Sequence, residues 1–234
     1  CIIARDSIAR YARGNAVTTL TLSEPKIAPT PESESFPVHF AADPVAAAAV
    51  LDAISLFELL GAKWMLAVTV ANWNAEIHEH TADEVRHTKM VQDAAKKLRW
   101  EMNGPDLLRE ARMARICHEA TELYLSKLSK KIFLLTRRTL GEKFTVPAYV
   151  LLAFLIERRI MKIYPHFAKH GATDDLRAMA RELIGDERKH LTFVNNKLID
   201  SLELAQSSKE EIVSFEESLA ATWLEALKDA TSQH

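Results

Sequence analysis

Hydrophobic residues recur at helical spacing along most of the chain after residue 43. One face of the first predicted helix carries Ala47, Leu51, Ile54, Ala62 and Met65, which lie three, four, seven or eight positions apart. The Asp43-Pro44 pair predicts its start, because aspartate caps free N–H groups and proline fits the first helical position. Strand-like alternation is scarce, so the pattern predicts an all-α chain.

Two breaks separate the first three predicted helices. We expect a turn at residues 69–72, with Asn72 as the cap of the second helix. The triplet Asn103-Gly104-Pro105 ends that helix. A third helix is predicted from about Asp106 to Leu140, and at about 1.5 Å per residue it is about 50 Å long.

Capping residues predict three further helices. Thr145 is expected to cap the fourth helix, and Pro165 to kink its end. Thr173 is expected to cap the fifth helix, which reaches about Ala205. Ser208 and Glu211 have the spacing of a capping box and predict the start of a last helix.

The first 42 residues differ from the rest. Pro25, Pro29, Pro31 and Pro37 occur there among serines and threonines, a composition typical of extended chain. We therefore predict an N-terminal arm over residues 1–42 and one helical domain over residues 43–234. An arm of this kind can wrap a second subunit, which makes a homodimer a hypothesis.

Composition and charge limit the classes of partner. The net charge of −2 favours neither nucleic acid nor a membrane surface as a partner. No apolar stretch is expected to span a bilayer, and even the run 150–156 is cut by Glu157. Cys1 and Cys117 are the only cysteines and form no CxxC pair, which predicts a reducing, cytoplasmic setting.

One short motif occurs twice, as Asp83-Glu84-Val85-Arg86-His87 and as Asp186-Glu187-Arg188-Lys189-His190. On a helix, positions three apart lie on one face, so the glutamate and the histidine of each motif can reach the same metal ion. A single ExxH spacing arises easily by chance and usually reflects a surface pair. The motif therefore acquires meaning only from its surroundings.

Each motif is preceded by a glutamate in an apolar helical stretch, Glu58 in the first case and Glu157 in the second. An ionised carboxylate in a core costs several kcal/mol unless it is paired or bound to metal. Glu58 and Glu84 lie about symmetrically around the turn near residue 71, and Glu157 and Glu187 around the turn at 171–172. Two antiparallel hairpins can thus bring four carboxylates and two imidazoles to one level, a known way to build a two-metal site.

This order of residues resembles the ferritin-like carboxylate-bridged di-iron superfamily over about residues 43–205. The resemblance implies a four-helix bundle with a long crossover helix, to which the last helix is an addition. It implies metal ligands at Glu58, Glu84, His87, Glu157, Glu187 and His190. Glu84 and Glu187 would bridge the two metals, and Glu58 and Glu157 would be terminal. Asp83 and Asp186 would accept the second N–H of a ligand histidine, each from the other motif.

His80 lies one turn before Glu84 on the same face. An additional histidine at this offset is similar to the arylamine N-oxygenase branch of the superfamily, where it binds metal. In that branch it belongs to the second ExxH helix, whereas here the equivalent second position is Leu183. Metal ligation, a role next to the ligands and ordinary core packing remain the three alternatives for His80.

The donor set favours two iron ions, with manganese or a mixed pair as the alternative. The resemblance then implies an oxidoreductase that activates dioxygen to oxidise a small organic substrate, with an electron donor that the sequence does not identify. An iron-binding protein with a ferroxidase or iron-handling role is the alternative, and a purely structural metal site is a third. Phe57, Phe154, Ile160 and Met161 could form a dry substrate pocket or simply be core.

Overall fold

The computed structural model describes residues 36–69, 75–201 and 206–232. Within these ranges the chain forms α-helices and one short 3-10 turn at Gly141–Lys143, and no strand. The predicted all-α class is therefore confirmed. The helices are α1 (His39–Ala42), α2 (Pro44–Thr69), α3 (Ala75–Trp100), α4 (Gly104–Leu140), α5 (Thr145–His170), α6 (Asp174–Ser201) and α7 (Gln206–Ser232).

Several helix ends form as their capping residues predict. The Asp43 carboxylate accepts a hydrogen bond from the Val45 backbone N–H at the start of α2. Asn103 caps α4 in the same way, and Thr173 caps α6. Gly141 ends α4 with a φ of 57°, a backbone conformation that glycine adopts without steric cost.

Two predicted boundaries were wrong. Thr145 is already inside α5, and Phe144 at the cap position makes no side-chain capping bond. Helix α5 contains Pro165 and ends at His170, just before the turn at 171–172, since the packing of its apolar face outweighs one lost backbone bond. Ser208 lies inside α7, which begins at Gln206, so it is not the cap. Asn72 lies outside the described residues.

Helices α2 and α3 pack against each other in antiparallel orientation. Gly61 lies beside Glu84, whereas Asp52, nearer the start of α2, forms an ion pair with Arg99 near the end of α3. Helices α5 and α6 form a second pair of this kind. The two pairs meet through α2 with α5 and through α3 with α6, which places the middle of all four helices together.

Helix α4 runs parallel to α2 along its outer side. Asp43 pairs with Arg109 at one end, and Trp64 contacts Phe133 near the other. With 37 residues α4 is about 55 Å long, enough to return the chain along the whole length of α2. Helix α7 then packs on α4, partly through a hydrogen bond from the Trp223 indole to Thr121.

Helix α2 corrects one expectation about membranes. Residues Pro44–Leu66 form a stretch of 23 residues with a mean hydropathy of 1.9, which is long and apolar enough to cross a bilayer. The prediction that no apolar stretch reaches this length is wrong, because the alanine-rich run before Glu58 belongs to the apolar stretch. In the fold 72% of its most apolar 18 residues are buried inside the protein, as is typical of a helix in the core of a helical domain.

Most of the predicted N-terminal arm lies outside the described residues. Its last part, residues 36–42, contains helix α1 and contributes Phe36 and Phe40 to the core. The Ala41 carbonyl also accepts a hydrogen bond from the Ala172 N–H, in the turn between α5 and α6.

Candidate metal centre

The six residues with the strongest metal-binding pattern lie together in the middle of the four packed helices. None of these residues is more than about 5% exposed, although all six are ionisable. Helix α2 contributes one of them, α3 two, α5 one and α6 two. They are Glu58, Glu84, His87, Glu157, Glu187 and His190.

One group of four side chains surrounds the end of the cluster nearest His80. The His80 Nε2 atom lies 3.0 Å from Glu157 Oε1 and 3.1 Å from Glu84 Oε1. With His190, these residues offer four ligand atoms that all lie within 4.8 Å of one another. This group can hold a metal ion, and it includes the histidine whose role the sequence left open.

A second, overlapping group lies at the other end. It comprises Glu84, His87, Glu187 and His190, again with ligand atoms within 4.8 Å of one another. The His87 Nδ1 atom lies 2.9 Å from Glu187 Oε1, and the His190 Nδ1 atom lies 3.1 Å from Glu84 Oε1. Glu84 and His190 belong to both groups, so the two candidate positions are adjacent.

Glu58 lies beside the second group. Its Oε2 atom is 3.8 Å from His87 Nδ1, while its Oε1 atom accepts a short hydrogen bond from the Tyr164 hydroxyl. Tyr164 is fully buried. Its position two turns after Glu157 indicates from the sequence that it could line the site, although packing was the favoured interpretation, and its bond to Glu58 places it there.

The two aspartates of the repeated motif lie against histidines across the α3–α6 contact. Asp83 Oδ2 is 3.3 Å from His190 Nε2, and Asp186 Oδ2 is 3.7 Å from His87 Nε2. Each aspartate therefore faces the histidine of the other motif, as the sequence analysis expects. Arg86, which was not predicted, forms ion pairs with both aspartates and ties the two motifs together.

The electrostatics of the acids reflect their crowding. Burial, with repulsion from Glu58, raises the pKa of Glu84 to about 7. Burial and the neighbouring carboxylates of Glu187 and Glu84 raise the pKa of Glu157 well above its ordinary value. Burial alone would also raise the pKa of Glu187, but contacts with Glu157 and the two histidines outweigh it and lower that pKa.

In His87 and His190 the neighbouring carboxylates outweigh burial, so the pKa of each imidazole rises. Burial by itself would lower the pKa of His87, but the carboxylates of Glu187 and Glu58 outweigh it and raise this pKa to about 11. His190 behaves in the same way between Glu187 and Glu84, with a pKa of about 10. Without metal the imidazoles therefore hold protons, which act as counter-charges for the carboxylates.

Several buried polar atoms in the cluster have no well-aligned hydrogen bond, and they show whether a cation would fit there. The set includes the Nδ1 atoms of His80, His87 and His190 and both carboxylate oxygens of Glu187. Such atoms normally find partners in a protein interior, since an unsatisfied buried group costs about 1–3 kcal/mol. Nitrogen and oxygen atoms that converge in this way suit a divalent cation.

None of the four apolar residues considered for a pocket, Phe57, Phe154, Ile160 and Met161, lines the cavity at the cluster. Phe57 packs against Tyr124 and Trp223 on the side of α2 that faces α4 and α7, as part of the core. The cavity that reaches the cluster lies between α2 and α5 instead, beside Glu84 and Glu157. Its volume is about 10 Å³, close to the minimum for one water molecule.

Comparisons with known proteins return no match for this chain among protein-family models, curated proteins or solved structures. The interpretation of the centre therefore depends on its own residues and their geometry.

Proposed function

We propose that the chain is a di-metal oxidoreductase of the ferritin-like type, which binds two iron ions and activates dioxygen to oxidise a small substrate. Two packed helix pairs joined by the long parallel helix α4 support the assignment of a four-helix bundle with a crossover helix. The order of the acidic and histidine positions along these helices supports the same class. The single observation that carries the proposal is the buried cluster of four carboxylates and three imidazoles.

Charge balance supports two divalent ions. Four ionised carboxylates carry four negative charges, which two divalent cations neutralise. Glu84 belongs to both candidate groups and would hold both metals, Glu157 and Glu187 would each hold one, and His87 and His190 would bind through the Nδ1 atoms that face the cluster. Carboxylate-rich donor sets with imidazole favour iron or manganese, whereas zinc and copper prefer softer or fewer oxygen donors.

When bound, two ferrous ions would supply two of the four electrons that the reduction of dioxygen to water requires, and the substrate or an electron donor would supply the other two. The chain itself excludes bulk water, since the side chains of the cluster are buried on every helix. Tyr164 fixes one oxygen of Glu58. Asp83 accepts a hydrogen bond from His190 Nε2–H, which favours the tautomer in which His190 Nδ1 is free to bind metal. Asp186 lies 3.7 Å from His87 Nε2, beyond hydrogen-bond distance.

The size of the cavity favours a second candidate function, oxidation of ferrous iron itself. A volume of about 10 Å³ admits a water-sized molecule but not an organic compound. An organic substrate therefore requires displacement of cavity residues such as the half-buried Trp64. Iron oxidation needs no such pocket, because the metal is then the substrate.

Anaerobic titration with ferrous iron, followed by dioxygen, tests both candidates. We expect two ions per chain at saturation and consumption of dioxygen when it is admitted. Dioxygen consumption that continues only with an added organic reductant or substrate supports the first candidate. Continued uptake of many ferric ions per chain supports the second.

The matched variants are Glu187→Gln and Glu110→Gln. Both positions are buried glutamates, but Glu110 pairs with Arg99 outside the cluster. Glu187→Gln should lose at least one ion per chain, whereas Glu110→Gln should retain two. Equal metal content in the two variants, or no metal in the unaltered protein, contradicts the proposed centre.

A further inference from the structure

The small cavity beside the cluster has an unusual lining. Apolar side chains such as Ile156 form most of its wall, and two potential ligands, Glu84 and Glu157, lie at its inner end. Gly61 and Trp64 are the half-buried residues of its lining, so the cavity comes closest to solvent there. It is thus a small, mostly apolar space that lies against two of the candidate metal-binding carboxylates.

Two polar atoms of the lining have no hydrogen-bond partner among the described residues. They are the hydroxyl of Tyr149, whose side chain is about 2% exposed, and the buried Nε1 of Trp64. Burial and the nearby carboxylates of Glu157 and Glu84 raise the pKa of Tyr149 well above its ordinary value. The hydroxyl therefore stays protonated and, like the indole N–H, is available as a donor.

Gly61 keeps the cavity open on the side of Glu84. A Cβ atom at this position would lie 3.2 Å from Glu84 Oε2, closer than an ordinary van der Waals contact. Glycine in a helix interior costs about 0.5–1 kcal/mol relative to alanine. Gly61 lies inside α2, so it lowers the stability of that helix, and its missing side chain leaves space next to Glu84.

We infer that this cavity is the binding site for a single diatomic ligand of the metal centre, dioxygen under the proposed function, and that Tyr149 donates a hydrogen bond to it. The inference rests on the proposed function, since the ligand needs a metal beside Glu84 and Glu157. Three observations carry it: a space of molecular size, two unpartnered donors, and two carboxylates at its inner end. A diatomic with acceptor atoms can accept a hydrogen bond from such donors and is close in size to the single water molecule that the volume admits.

A permanently bound water molecule could occupy the same cavity with similar hydrogen bonds. The experiment distinguishes this water from an exchangeable diatomic ligand. The probe is nitric oxide, a diatomic that binds ferrous iron and changes its optical and electron-spin spectra. The iron-loaded protein is titrated anaerobically with nitric oxide, and the iron content of each variant is measured in parallel. Dependence of nitric oxide affinity on the cavity residues indicates a ligand site, whereas a structural water predicts altered stability with unaltered affinity.

Tyr149→Phe removes the donor without changing the shape of the ring. We expect it to bind two iron ions and to hold nitric oxide roughly 5- to 10-fold more weakly, the usual effect of one lost hydrogen bond. The control is Tyr124→Phe, a buried tyrosine that donates to Glu216 away from the cluster. That variant should show unaltered nitric oxide affinity.

Gly61→Ala tests the space itself, and Gly185→Ala is its control. Alanine at residue 185 meets nothing within 4 Å, and both changes add the same helix propensity. We expect at least roughly tenfold weaker nitric oxide binding only for Gly61→Ala. Full iron content with unaltered affinity in both Tyr149→Phe and Gly61→Ala overturns the inference. Absence of iron in the unaltered protein instead contradicts the proposed function.

Discussion

The Nε2 atom of His190 lies 3.3 Å from Oδ2 of Asp83, 107 positions earlier in the chain. The contact joins the two copies of the repeated motif across the packed helices α3 and α6. An acceptor at this position favours the tautomer with the proton on Nε2, which leaves Nδ1 free toward the carboxylates of the cluster.

Asp83→Asn should therefore weaken metal binding without unfolding the protein. Loss of such a partner typically lowers metal affinity by roughly 10- to 100-fold. The control is Asp93→Asn, on the same helix, where the carboxylate pairs only with exposed lysines. Competition with a chelator of known affinity measures the change, and equal affinities for the two variants would refute the role of Asp83.

His80→Ala should cost one of the two ions. His80 supplies a ligand atom to one of the two candidate groups and none to the other. The ratio of metal to protein should fall from two toward one, while the second ion is retained. His118→Ala, at an exposed position on α4, provides the control. If the His80 variant binds two ions with unaltered affinity, ligation by His80 is excluded.

Metal affinity should rise with pH. Burial and the Glu58 carboxylate raise the pKa of Glu84 to about 7, and the pKa of His190 is about 10. Metal must displace these protons, so a lower pH favours the protonated groups and weakens binding. Displacement of one proton per ion changes affinity about tenfold per pH unit. Manganese titrations at about pH 6, 7 and 8 should show at least this slope, whereas a flat profile would contradict the protonation states described above.

Tyr164→Phe and Tyr124→Phe form a matched pair. Each removes one buried hydroxyl that donates to a glutamate, Glu58 in the first case and Glu216 in the second. Both variants should lose about 1 kcal/mol of the free energy of unfolding, the usual value for one buried hydrogen bond. Only Tyr164→Phe should also weaken metal binding, by a few-fold, because Glu58 loses its fixed orientation. Similar metal affinities in the two variants would argue against Glu58 as a ligand.

Arg159→Met should destabilise the protein strongly while leaving the metal content intact. Arg159 donates two hydrogen bonds to Glu216, and both side chains are almost completely buried. Removal of one partner from such a pair costs about 3–5 kcal/mol, because the other charge stays buried and unpaired. Arg158→Met is the control, since its pair with Glu217 is more exposed and should cost about 1 kcal/mol or less. Urea unfolding of the metal-free variants measures both values.

Much of the helical architecture was predictable because helix ends depend on local contacts. Asp43, Asn103 and Thr173 each bond a backbone N–H two or three residues away, so their effect can be read from neighbouring letters. The prediction went wrong at the starts of α5 and α7. Thr145 and Ser208 have the residue type of a cap, but both lie inside their helices, because residue type alone does not fix where a helix begins.

The sequence by itself determined which side chains can form the centre. The repeated DExxH spacing and the two glutamates in apolar stretches follow from helical periodicity and from the cost of burying charge. Only the tertiary structure decided what surrounds that centre. The bond from Tyr164 to Glu58, the contact of His80 with Glu157 and the cavity beside Gly61 each join helices that are far apart in the chain. Periodicity specifies which face of a helix is buried but not which neighbour it meets, so these contacts depend on how the helices pack.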